Sequence, residues 1–415
     1  MRFKPASTRA RRFLLVSASL PALVFAGCGK GGQTTQRHAG GPVPSVAPVA
    51  EEGAVTVTTR NTTRVGGSEV LTDAAAVARV AYPGLTPGSR PEAVVVVDRR
   101  DWPGALAASA LASAPLNAPI LFAEGNSLPQ VSREALEAMH PKGASALGGV
   151  QVIRLGTEAP LPAAYTARSL PRSDPAGTPA EVEQLLSAVS GASPREVIVV
   201  GTEGPRSMQM PAAGLAAESG APLLPVSGAV LDAGSEALLR RLHHPAIYVI
   251  NGAHVSHGVL GALARLGRVT AIPESEGGEA ATPVTSSIAA ARFTDGTFGW
   301  GVKDPGHGLV FARAARPLDA PAAAILSATG NYGPMLLLEA PDTIPPQLAA
   351  YLGDIQPAYG TAPEFRPVRG VYNHGWLIGD ETAISLTTQA ELDSLLEIKP
   401  TKQGAAEEAA VVQSE

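Results

Sequence analysis

Val94 precedes Pro119 by the same interval that separates Val197 from Pro222 and Leu309 from Pro334. Each first position lies in a short apolar or β-branched run: "AVVVVD" (93–98), "EVIVVG" (196–201) and "GLVFAR" (308–313). Each proline sits in a small-Pro-apolar-Leu stretch, "NAPILF", "GAPLLP" or "YGPMLLL". Runs this short, without polar alternation and bounded by turn residues, read as strands buried on both faces of a parallel sheet. The segments between them are rich in small residues, begin after a Pro-containing turn and end near Gly or Pro, so they read as helices. Strand, helix, strand is a βαβ unit with a right-handed crossover. Three copies at one spacing form an internal repeat.

The repeat extends in both directions. "VSREALEAMH", "DAGSEALLRRLHH" and "IPPQLAAYLGDI" are amphipathic helices, and a third strand follows in "VQVIRLG", "AIYVING" and, after an insertion, "GVYNHGWLIGD". A further helix precedes each unit: "SEVLTDAAAVARVA", "TPAEVEQLLSAV" and, less clearly, "TPVTSSIAAARF". In the second of these, Thr178 reads as N-cap, Pro179 as the first helical residue and Glu181 as the partner of a capping box. The expected body is α/β, three tandem modules over 61–157, 158–270 and 271–398, each a normal domain size. Each module holds a small parallel sheet flanked by helices.

Residues 1–12 carry Arg2, Lys4, Arg9, Arg11 and Arg12 without an acid, and a short apolar run follows, too short for a membrane span. It ends in "VFAGC", which resembles the lipobox of a bacterial lipoprotein signal, with Phe25 where Leu is usual. The expectation is a lipoprotein signal peptide over 1–27 and lipidation of Cys28; the alternative is an ordinary signal peptide with an incidental Cys. More than one acyl chain on Cys28 would hold firmly, at about 0.8 kcal/mol per buried CH₂. Arg11-Arg12 also partly fits twin-arginine export. Residues 28–60 have no useful period and read as a flexible tether, while 399–415 read as a disordered tail. Cys28 is the only cysteine, so no intrachain disulfide framework exists. A net charge of -5 offers no concentrated basic face for nucleic acid.

The repeats resemble the cell wall-binding repeat 2 family of Gram-positive surface proteins, usually present as three tandem copies. Its motif runs Arg-hydrophobic-x-Gly-x-Asp-Arg-Tyr-x-Thr-Ala, a strand, Asn-Phe-x-Asp-Ala-Leu into a helix, small-Pro-Ile-Leu, and an Ile-Gly-Gly close. "TRVGGSEVLTDAAAVA" keeps Arg64, Gly66 and Thr72 but has Ser68, Glu69 and Val70 in place of Asp-Arg-Tyr. "RRDWPGALAAS" matches the helix entry with Asp101, Trp102 and Gly104, and "ARPLDAPAAA" keeps the motif's Asp as Asp319. "INGAHVSHGVLGAL" and "IGDETAISL" match the close. The resemblance covers about 62–398 and implies three modules packed with pseudo-threefold symmetry that attach non-covalently to anionic cell-wall polysaccharide.

Ligands of open α/β sheets bind beyond the carboxyl ends of the strands. Those positions supply Asp98, Arg99, Arg100, Asp101, Trp102, Arg206, Arg313, Arg316 and Asp319, with Arg64 added from the motif. Arginines there suit phosphate or carboxylate on a wall polymer, Trp102 suits a sugar ring, and the Asp residues suit sugar hydroxyls. The structural alternative is that the Asp residues cap helices and the Arg residues bridge modules. A groove lined by Arg64, Arg99, Trp102 and Arg316 would mark polymer binding. His254 and His257 are a weak metal motif and "YNHGW" (372–376) a weak carbohydrate one. No P-loop, Gly-x-Gly-x-x-Gly, Gly-x-Ser-x-Gly or His-Glu-x-x-His motif occurs, so neither a catalytic residue nor a cofactor is expected. The reading is a non-catalytic, extracytoplasmic lipoprotein joining membrane to wall polymer, with any protein partner unknown. Its alternatives are a transporter's solute-binding lipoprotein and a wall-remodelling protein.

Overall fold

Val94–Asp98 is β-branched at all but its last position and wholly buried, and it forms an inner strand of the first of three main sheets. The computed structural model describes residues 55–162, 165–170, 177–328, 332–359 and 372–400. The signal, Cys28 and most of the tether therefore lie outside the described residues.

The described chain opens with β1 (Val55–Thr58), β2 (Thr62–Gly66) and α1 (Val70–Ala81). The first repeat supplies β3 (Val94–Asp98), α2 (Trp102–Ala108), β4 (Ile120–Ala123), α3 (Gln130–Met139) and β5 (Val152–Leu155). Next come β6 (Ala167–Leu170) and α4 (Gly177–Ser190). The second repeat supplies β7 (Glu196–Gly201), α5 (Pro211–Ser219), β8 (Leu223–Val226), α6 (Ala233–Arg241), β9 (Ala246–Ile250) and α7 (His257–Leu266). β10 (Arg268–Ala271) and α8 (Pro283–Arg292) precede the third. There β11 (Gly308–Arg313), α9 (Asp319–Ala328), β12 (Met335–Leu338), α10 (Pro346–Asp354) and the short β13 (Ala358–Tyr359) are followed by β14 (His374–Ile378) and α11 (Leu386–Leu396). β15 (Lys399–Pro400), at the start of the expected tail, pairs with β13.

The sheets share one plan. Their orders are β4-β3-β5-β6, β8-β7-β9-β10 and β12-β11-β14-β2-β1, all parallel except the terminal β1–β2 pair. The fourth strand of each comes from outside the βαβ unit that it completes. β6 lies in the stretch expected as the second module yet pairs with β5, and β10 straddles the second and third yet pairs with β9. β2, expected in the first module, pairs with β14 at the far end of the chain, from Gly375 beside Thr62 to Ile378 beside Val65. Each repeat thus gives its opening strand to the sheet before it, and the first repeat gives its own to the last.

Helices α2, α5 and α9 and the turn 109–112 meet in one core shared by all three sheets. Alanines dominate it, among them Ala105, Ala108, Ala212, Ala213, Ala322 and Ala323. Small side chains let the backbones approach closely: a Cβ on Gly214 of α5 would sit 2.8 Å from Ser327 Oγ of α9. The other face of each sheet has its own core, typified by Leu121 and Met139, by Val199 and Leu263, and by Phe311 and Tyr351.

Two helix entries differ from expectation. α4 begins at Gly177, so Thr178 lies inside the helix rather than at its N-cap. α8, the least legible of the three preceding helices, is the one with a full capping box, made by Thr282 and Thr285 with Pro283 at its start.

Candidate functional site

At the carboxyl end of β3 the carboxylate of Asp98 turns inward. It is 1% exposed and accepts hydrogen bonds from the backbone and side chain of Arg100 and from Gly125 N. Burial alone would raise its pKa, but the bonds from Arg100 and Gly125 outweigh it and hold Asp98 below the usual carboxylate range. It therefore staples two loops together. Arg99 and Arg100 remain on the rim, paired with Glu124 at 2.7 Å and with Asp98 at 3.1 Å. Asp101 caps α2, accepting from Gly104 N.

Trp102 is not a sugar platform. It is 3% exposed, and its indole N–H donates to Gln209 Oε1 at 2.6 Å, joining the first repeat to the second. Gln209 in turn donates to the carbonyl of Thr202. Arg206 is exposed and lies 5.8 Å from the centroid of the Trp102 ring, a cation–π contact at the edge of the same seam.

In the third repeat the candidates turn inward. Arg313 donates to the carbonyls of Ala383 and Glu339. Arg316 bonds Asp319 through Nε at 2.9 Å, Asp73 of α1 through Nη2, and the Ser68 carbonyl through Nη1. Asp73 and Asp319 are both fully buried. Burial raises Asp73 to about 6 despite Arg316 and the Gly67 amide, and burial followed by the neighbouring Asp73 raises Asp319 well above its usual range. Arg64 is 1% exposed, with its guanidinium donating to Gln389 Oε1 and to the carbonyls of Gly379, Asp380 and Ile384. Desolvation lowers its pKa, opposed by Asp380 and Glu381.

Arg64, Trp102 and Arg316 thus hold the body together and are spent on internal partners instead of lining a groove with Arg99. The candidates open to solvent are the half-exposed Arg99 and the exposed Arg100 after β3, and the exposed Arg206 beyond β7. Three residues outside the sequence reading complete the internal contacts: Asp73, Gln209 and Gln389. Asp73 had a signal, an acid between Thr72 and Ala74 on a mostly apolar helix; the two glutamines had none. Asn373 of "YNHGW" packs inward, accepting from Gly306 N and donating to the Ile355 carbonyl, while His374 contacts Thr63 across the sheet. Among the described residues no group of His, Cys, Asp and Glu gathers to hold a metal ion, and no helix is long and apolar enough to cross a membrane.

No family model matches the chain, and no curated protein matches it. Solved structures do. Cwp8 from Clostridium difficile is 18% identical, with a TM-score of 0.58, over 81% of this chain and 52% of its own. Cwp6 from Clostridium difficile is 15% identical, also at 0.58, over 83% of this chain and 51% of its own. The chain spans about half the length of these neighbours and shares their fold.

Proposed function

We propose that this chain is a non-catalytic, extracytoplasmic cell-wall-associated protein whose three-sheet body binds an anionic wall polymer and whose Cys28 carries the lipid that holds it to the membrane. The observation that carries the reading is the common strand order of the three sheets in a fold shared with Cwp8 and Cwp6. The resemblance of the repeats to the cell wall-binding repeat 2 family supports the same reading from the sequence. A solute-binding protein with two lobes around one cleft fits three sheets poorly.

Polymer contact falls to the half-exposed Arg99 and the exposed Arg100 and Arg206, since the remaining candidates face inward or cap a helix. Guanidinium groups at the carboxyl ends of parallel strands suit phosphate or carboxylate. The test is co-sedimentation of the full chain with purified, delipidated wall. Retention is expected, and the triple variant Arg99→Glu, Arg100→Glu, Arg206→Glu should lower it at least tenfold. No retention of the wild type ends the proposal, and undiminished retention of the variant ends this assignment of the surface.

A further inference from the structure

The buried cluster between α1 and α9 holds two carboxyls and one guanidinium. Arg316 reaches both Asp73 and Asp319, and Gly67 N donates to Asp73 Oδ1 at 2.7 Å. Arg316 thereby draws two fully buried carboxyls onto one guanidinium, close enough that each bears on the other's proton. Asp319 Oδ1 is buried and has no donor. Two ionised carboxylates have no hydrogen to share, so this contact becomes a bond only when a proton lies between them. With one proton the triad is neutral; without it a net negative charge is buried.

The backbone is built around this contact. Gly66 has φ +131°, and a Cβ there would lie 2.2 Å from Asp73 Oδ1. Arg316 adds a bond to the Ser68 carbonyl, so the cluster grips the junction between β2 and α1. Among the described residues few other charges bear on it. Arg313 and Asp380 act on Arg316, and Arg64 on β2 has its donors committed to carbonyls and Gln389. Glu69 and Arg79 on α1, like Arg133, Glu134 and Glu137 on α3, are exposed to solvent.

We propose that Asp73, Asp319 and Arg316 form a proton-held latch: a proton shared by the two carboxyls keeps the β2–α1 segment closed on the third repeat, and its loss in alkaline medium frees that segment. The sign follows from linkage. Both carboxyls hold protons more tightly in the folded than in the unfolded chain, so their stabilisation is complete below the ordinary Asp range. Part of it goes as the first proton leaves near pH 6, which yields the neutral one-proton triad, and the rest goes at higher pH as the shared proton follows.

The test measures amide exchange of β2 and α1 in the full chain at pH 6 and pH 9, corrected for intrinsic base catalysis, beside thermal midpoints over the same range. In the wild type, corrected exchange of this segment should accelerate at least tenfold, and the midpoint should fall by about 5 °C. Asp319→Asn keeps the shape without the titration and should flatten both profiles; Asp73→Asn serves if that variant does not fold. Equal exchange at both pH values, or a variant that keeps the wild-type dependence, overturns the latch. So does a wild-type infrared spectrum without a protonated carboxyl band at pH 7, whatever the variants do.

Discussion

Arg64 shows how a motif residue can be legible while its use is not. The sequence offers Arg64 in a motif whose resemblance implies an anionic ligand, but the carbonyls it serves lie more than three hundred residues downstream, in 379–384. A buried guanidinium with its donors spent on neutral acceptors is structural. Arg64→Met should keep the volume and leave three carbonyls without their donor, costing about 3 kcal/mol. A urea midpoint close to the wild type would contradict this. Trp102 has the same history: its neighbours promise an exposed helix entry, and only the partner Gln209, from the next repeat, draws it inside. Asp73 and Arg316, 243 positions apart, are harder still, since no local pattern links them.

At the scale of elements the sequence reads well wherever the signal is local. The inner strands at 196–201 and 308–313 end where the apolar runs end, because burial on both faces demands unbroken apolar sequence. The fourth strands escape this logic. "ARSL" and "RVTA" are short and partly exposed at the sheet edge, and their partners belong to the preceding repeat. β2 is fully buried, yet its pairing with β14 is equally remote. The hinge from β2 into α1 depends on Gly66, whose φ only glycine adopts readily. Gly66→Ala adds backbone strain and a clash with Asp73, and should cost about 2 kcal/mol or more. Chemical denaturation measures it, and exchange should be fastest in β2 and α1.

Across the whole molecule, one alanine-rich core joins three sheets, so each sheet's outer loops are carried on a shared frame. This bears on the proposed wall contact: Arg99, Arg100 and Arg206 stand either side of the Trp102–Gln209 seam and are held in fixed relation by it. Binding through exposed guanidinium groups should weaken as salt rises, because their field is screened within about 8 Å at physiological ionic strength. Retention on wall that is unchanged up to high salt would point away from charge. The mating of β2 with β14 has a different consequence. Arg60 and Glu397 form an ion pair, and Asn61 bonds Asp393, so the start and finish of the folded body are neighbours. A circularly permuted gene, cut between Gly277 and Gly278 with residues 400 and 55 joined by a short linker, should yield the same body with its ends relocated. Folding of that rearranged chain, read by its melting transition, would show that the loop of sheets has no intrinsic beginning.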